Sequence, residues 1–200
     1  MEETEIAMAA ESHSTKRTNP HSTSQAGGWS TNKIATVALL SAVALVLSFI
    51  QIPVFPPAPY LTYDPSGVVA LFAGLAFGPA MGAAVSVLPW VLHLIFEFNP
   101  WGDLMAIIAT VALALPAALV YARSKTPRDM VAGMVVGGVV ALVACIVGNL
   151  LITPVYSGVT VDVVVSMIVP ILLPFNLIKI VLNCVIGALV MKPLSKAIGR

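Results

Sequence analysis

The sequence predicts an all-α integral membrane protein, a six-transmembrane-helix bundle with its N and C termini cytoplasmic. Three observations carry that reading. Hydrophobic residues make up 58% of the chain and charged ones 10%, whereas a soluble domain devotes about a quarter of its residues to charge. Beyond residue 33 the apolar residues fall into long runs, and a hydrocarbon core of about 30 Å takes about 20 helical residues to cross. The alternation of a lipid-facing β-barrel is missing from those runs, and open strands would leave backbone groups unpaired in lipid.

Residues 1–32 are rich in Ser, Thr, His and Glu. They carry too little apolar surface to offset ordering entropy, and read as a disordered cytoplasmic tail. That polar stretch precedes a full-length span, not the short apolar core of a secretory signal, so the first span is expected to stay as an anchor. The six spans read as Ile34 to Ile52, Pro65 to Phe77, Ala80 to Phe96, Asp103 to Tyr121, Met130 to Ile152 and Pro170 to Met191. The second is short for a full crossing. Asp64 is placed to cap its first amides, Pro65 suits its first turn, and Gly78-Pro79 ends it. Gly74 with Gly78 and Gly133 with Gly137 give two small-xxx-small spacings that allow close helix approach.

Charge position sets the orientation. Lys16, Arg17 and Lys33 precede the first span, Arg123, Lys125 and Arg128 separate the fourth from the fifth, and Lys192, Lys196 and Arg200 follow the sixth. With six crossings these cations share one side, while the opposite loops at 53–63, 97–102 and 153–169 carry no Lys or Arg. The positive-inside rule then puts both termini in the cytoplasm. Cations spread along the chain in this way form no basic face for nucleic acid. Cys145 and Cys184 stand apart inside apolar runs and read as small buried hydrophobes.

Lys179 departs from the pattern, since it falls in the middle of the sixth span. An ammonium there costs about 2.5–3.5 kcal/mol on insertion scales and normally faces a partner, water or a ligand. Asn176 and Asn183, three residues before and four after, share its helical stripe. No Asp or Glu is expected deep enough to pair with the lysine. A polar stripe facing lipid is costly, so it is expected to point inward, toward a ligand or into a hydrogen-bond network between helices. Pro170 and Pro174 remove backbone donors beside it, and irregular backbone at membrane depth is tolerated where it lines an enclosed cavity. Asn149, on the antiparallel fifth span, falls at a compatible depth. Amides and an ammonium together suit the carbonyls and ring nitrogens of a flat heterocycle.

The outer loop at 53–63 holds four prolines, Tyr60 and Tyr63. It suits either a lid over a pocket or an interfacial loop anchored by its tyrosines. His93 and Glu97 stand four apart near the outer end of the third span, where polarity is cheap; without further convergent ligands they make no metal site. Ala35, Ala38 and Ala42 share one side of the first span, suited to internal packing or to a partner subunit. An enzyme would need a nucleophile and base converging at one depth, and Ser48, Ser86 and Ser166 have only His93 as a membrane histidine.

The segments Tyr63-Asp64-Pro65-Ser66-Gly67, Ala76-Phe77-Gly78-Pro79 and Leu173-Pro174-Phe175-Asn176-Leu177-Ile178-Lys179 resemble the substrate-binding S component of energy-coupling factor (ECF) transporters, most of all the riboflavin-specific branch. The resemblance covers Ile34 to Ala197. It implies a subunit of an ABC-type importer that binds riboflavin as substrate, with no cofactor, and topples in the membrane to release it inside. It implies that Asn149, Asn176 and Lys179 contact the isoalloxazine, and that the loop after the first span closes over the ligand, which brings in Tyr63 and Asp64. Asn183 completes the candidate set as the third polar residue of the stripe. It further implies that Ala38 and Ala42, with Ala35 beside them, dock on a transmembrane coupling subunit that works with two cytosolic ATPases. The chain has no phosphate-binding Gly-xxxx-Gly-Lys-Ser/Thr loop of its own, so ATP is left to those partners. One departure is Ala106, at a position early in the fourth span where riboflavin-type members often carry Asn. It leaves open another vitamin or precursor, such as pantothenate, thiamin or a flavin analogue.

Overall fold

A computed structural model describes residues 29–197. The polar tail read at 1–32 lies outside the described residues as far as residue 28. Residues 31 and 32 already belong to the first helix.

The described chain is mostly helical: α1 (Thr31–Ser48), α2 (Ser66–Phe77), α3 (Pro79–Phe96), α4 (Pro100–Tyr121), α5 (Pro127–Ser157), α6 (Val161–Met167), a π-helical turn (Ile168–Leu172) and α7 (Leu173–Ala197). Local chemistry explains most of the boundaries. Asn99 Oδ1 accepts from the Gly102 amide at 3.1 Å and Pro100 occupies the first turn, which starts α4 three residues before the expected position. Thr126 Oγ1 accepts from the Asp129 amide at 3.1 Å and does the same for α5. That helix continues past Ile152, through Pro154, to Gly158, whose φ of 70° ends it.

Two further expected boundaries need correction. The first span stops at Ser48, not Ile52, because Ile52 turns out of the helix to form an antiparallel bridge with Tyr63, with both backbone bonds at 2.8 Å. The sixth begins at Val161, not Pro170: the chain stays helical through both prolines by widening to a π turn, in which the Leu173 amide reaches the Ile168 carbonyl five residues back. The segment at 153–169 is therefore mostly helix. Gly78 ends α2 where expected, but it is not the close helix contact read for it. Its φ of 104° makes it the hinge between α2 and α3, and a side chain there would meet nothing.

Five helical stretches are long and apolar enough to cross a bilayer: α1, α3, α4, α5 and the continuous stretch Val161–Met191. The twelve-residue α2 is the short sixth. Its residues from Ser66 to Ala76 are all buried, as a helix apolar on every side must be. It packs against α3, α4 and α7, and Val69, Ala70 and Ala73 meet Val37 and Ala44 of α1. By contrast α5 exposes Val131, Val135, Val139, Val143 and Val147, one residue per turn, a stripe that only lipid would cover favourably.

Helices α4 and α5 share the most extensive interface. Glycine makes it possible, since a Cβ on Gly137 would sit 2.3 Å from the Leu113 carbonyl oxygen and one on Gly133 2.5 Å from that of Ala117. A Gly137→Val substitution is therefore expected to force the helices apart at a cost of about 1–3 kcal/mol. Thermal unfolding in detergent reads this directly, and an unchanged midpoint would contradict the close approach.

Candidate functional site

A cavity of about 370 Å³ opens among α1, the 51–64 loop, α3, α4, α5 and the α6–α7 stretch. Its size falls in the range of sites that enclose small molecules. Asn149, Asn176, Lys179 and Asp64 all line it, so four of the six expected substrate-binding residues converge. Asn149 Nδ2 donates to the Cys145 carbonyl at 2.8 Å, and its Oδ1 accepts from Thr153 Oγ1 at 3.2 Å. Asn176, buried, donates from Nδ2 to the Leu172 carbonyl at 2.7 Å. Each amide is thus oriented by a bond to its own helix, one turn back, with a second N–H left for a ligand.

Lys179 is not without a carboxylate, contrary to expectation. Its Nζ lies 2.8 Å from Asp64 Oδ2, with both side chains largely buried. Asp64 gets there because the loop folds inward at the Ile52–Tyr63 bridge and α2 is short, which lowers its N-terminus toward the middle of α7. The other oxygen, Oδ1, accepts from the Ser66 amide at 3.2 Å and from the Ser66 hydroxyl. Asp64 therefore caps α2 and neutralises the buried ammonium at once.

Tyr63 and Asn183 do not line the cavity. They bond to each other, Tyr63 Oη donating to Asn183 Oδ1 at 3.2 Å, one turn further along α7. Asn183 fits there because Gly67 faces it, where a Cβ would come within 2.7 Å of Nδ2. Burial, with the Asp64 charge second, pushes the phenol of this loop tyrosine up to about 12. The pair ties loop to helix beneath the ammonium. Tyr60, by contrast, is exposed and lines the mouth.

His93 departs from the surface position expected of it: it is 2% exposed and lines the cavity. Its Nδ1 lies 3.0 Å from Asp103 Oδ1, and Nε2 lies 3.8 Å from the exposed Glu97. Neither approach is aligned as a hydrogen bond. A sequence signal existed. The turn between α3 and α4 centres on Phe98, so His93 and Asp103, five residues to either side, stand opposite each other across an antiparallel pair.

Ala35, Ala38 and Ala42 are exposed, whereas α1 packs inward through Val37, Ser41, Ala44 and Ser48. The internal-packing reading of that stripe is removed.

Residues 32–191 match the family model for the substrate-specific component of ECF transporters. The chain belongs to this family. It is a multi-pass cell-membrane protein of a transporter family that binds substrate, not of an enzyme family. Among its relatives are the riboflavin transporter RibU of Staphylococcus aureus (strain TCH60), 32% identical over 103 residues, and the riboflavin transporter FmnP of Bacillus subtilis (strain 168), 32% identical over 107. Each alignment takes in 51% of this chain, and the chain spans only about half the length of these curated relatives, 54% and 56%. A solved structure of the S component of a bacterial ECF transporter superposes with a TM-score of 0.74 at 27% identity, covering 84% of this chain and 98% of that one.

Two predictions follow from the geometry of the S component. Lys179→Met and Asp64→Asn alone are each expected to cost about 3 kcal/mol by stranding the partner charge, and the double variant less than their sum. Unfolding of the ligand-free protein measures this, and strictly additive losses would deny the pairing. Tyr63→Phe is expected to cost about 1 kcal/mol. The folded protein holds the phenolic proton more tightly than the unfolded chain, so this contribution is full below the ordinary 10.0 and is lost as pH rises through about 12. Phenolate absorbance should lack one late-titrating tyrosine in the variant.

Proposed function

We propose that this S component captures riboflavin at the outer face of the cell membrane. It delivers the vitamin inward together with a transmembrane coupling subunit and two cytosolic ATPases. The observation that carries the reading is the convergence of Asn149, Asn176 and Lys179 on one cavity of about 370 Å³, in a chain related to two riboflavin transporters. The amides offer donors and acceptors and the ammonium a further donor, complementary to the carbonyl and ring-nitrogen edge of an isoalloxazine. Phe175 and Leu172, both buried at the wall, give the ring apolar contact.

Orientation in this reading follows the cations. If α2 counts as a crossing, Lys33, Arg123, Lys125 and Arg128 share one side with the C-terminal end, which makes that side cytoplasmic. The cavity mouth, with Tyr60 and Trp101, then faces outward. Asp64 and Tyr63 act through the loop, which positions Lys179 and would close over a bound ring; Asn183 supports them. The exposed stripe Ala35, Ala38 and Ala42 is the docking face for the coupling subunit, since small side chains let two helix backbones approach closely.

A different vitamin in the same cavity is the second reading. Ala106 favours it, because it presents a methyl group to the cavity where riboflavin-type members often present an amide.

Purified protein is expected to bind riboflavin with quenching of flavin fluorescence. Asn176→Ala should weaken binding about tenfold or more. It is a cleaner variant than Lys179→Ala, which also strands Asp64, although that too should weaken binding strongly. Unchanged affinity in both variants would reject the pocket, and a copurifying vitamin other than a flavin, identified by mass spectrometry, would select the second reading.

A further inference from the structure

The binding residues assigned so far lie on α5 and α7 and on the loop before α2. A second polar group stands on the α3–α4 wall of the same cavity and has no role in that scheme. His93 and Asp103 are each 2% exposed, and both line the cavity. Among the described residues, Asp103 Oδ2 and both imidazole nitrogens lack a hydrogen-bond partner. Such atoms are costly to bury unpaired, and most that are buried in folded proteins find a partner.

Packing gives these two side chains little freedom to turn away. The imidazole lies between Phe49, at a ring-centroid distance of 4.9 Å, and Trp90, at 5.3 Å. Asp103 sits in the first turn of α4, where the unpaired amides favour an acidic side chain. The pair is thus held against the cavity by its own helices.

A carboxyl oxygen beside an imidazole presents an acceptor next to a donor, or the reverse if the proton moves across. A hydroxyl both donates and accepts, so it complements the pair in either state, whereas a ring carbonyl, which only accepts, does not. With Nδ1 facing Asp103 Oδ1 at 3.0 Å, Asp103 Oδ2 and His93 Nε2 are the two atoms left outside that contact, and together they ask for more than one hydroxyl.

We infer that His93 and Asp103 form a polyol subsite, which binds the hydroxylated chain of the substrate while Asn149, Asn176 and Lys179 hold its ring. This deepens the flavin reading above and rests on it. It also gives the cavity a means of preferring a flavin with a sugar-alcohol chain over the bare ring, since a site whose buried polar atoms are left unpaired rejects the ligand that lacks their partners.

The test compares riboflavin with lumiflavin, which carries a methyl group in place of the ribityl chain, by fluorescence titration of the full-length protein. The wild type is expected to bind riboflavin about ten- to a hundredfold more tightly. Asp103→Leu and His93→Leu should erase most of that preference by weakening riboflavin alone, and retained lumiflavin affinity then certifies the fold. Equal affinities for the two flavins in the wild type would overturn the subsite without recourse to any variant. So would a preference that survives both substitutions, the result expected if only ordered water satisfies the pair. Binding of neither flavin by the wild type would instead overturn the flavin reading, and the subsite with it.

Discussion

The contact between Lys179 and Asp64 is the constraint around which the outer half of the molecule is arranged. An ammonium at mid-helix depth must be paired or solvated, and among the described residues the carboxylate that meets it, Asp64, comes from the loop after α1. That loop bridges Ile52 to Tyr63 and starts α2 beside the middle of α7. The short helix, buried from Ser66 to Ala76, thus begins directly after the carboxylate that pairs with Lys179.

Removal of either charge would leave the other in a medium that penalises it, so the pair acts as a latch between loop and helix. The Tyr63–Asn183 bond below it and the Asp64–Ser66 cap above it belong to the same latch. These contacts tie the loop after α1 to the last helix at the edge of the cavity.

The cavity is asymmetric in chemistry. Its α5–α7 side offers amides fixed by bonds to their own helices, an arrangement that preorients donors before a ligand arrives. Its α3–α4 side holds an acid–imidazole contact that the protein itself leaves incomplete. Around it, packing is tight where α4 and α5 meet across Gly133 and Gly137, and loose in side-chain terms where α5 turns its valines outward. The closely packed pair supplies the frame of the cavity.

Much of this was legible in the residues. Composition determined the solvent, run length determined the helices, and the spacing of Asn176, Lys179 and Asn183 determined that one face of the last helix is polar. Asn149 and Asn176 were placed at one depth by counting along antiparallel helices, which works because the rise per residue is fixed. What stands opposite a polar face is another matter, because periodicity gives direction but not neighbours. Only the tertiary fold brought Asp64 under Lys179, turned Asn183 toward Tyr63 and away from the cavity, and buried His93 against Asp103. Those outcomes depend on how deep a proline-rich loop dips, on how a π turn re-aims the segment before Asn176, and on which backbone can approach Gly67. Each is set by contacts between residues far apart in the chain, and local spacing carries no record of them.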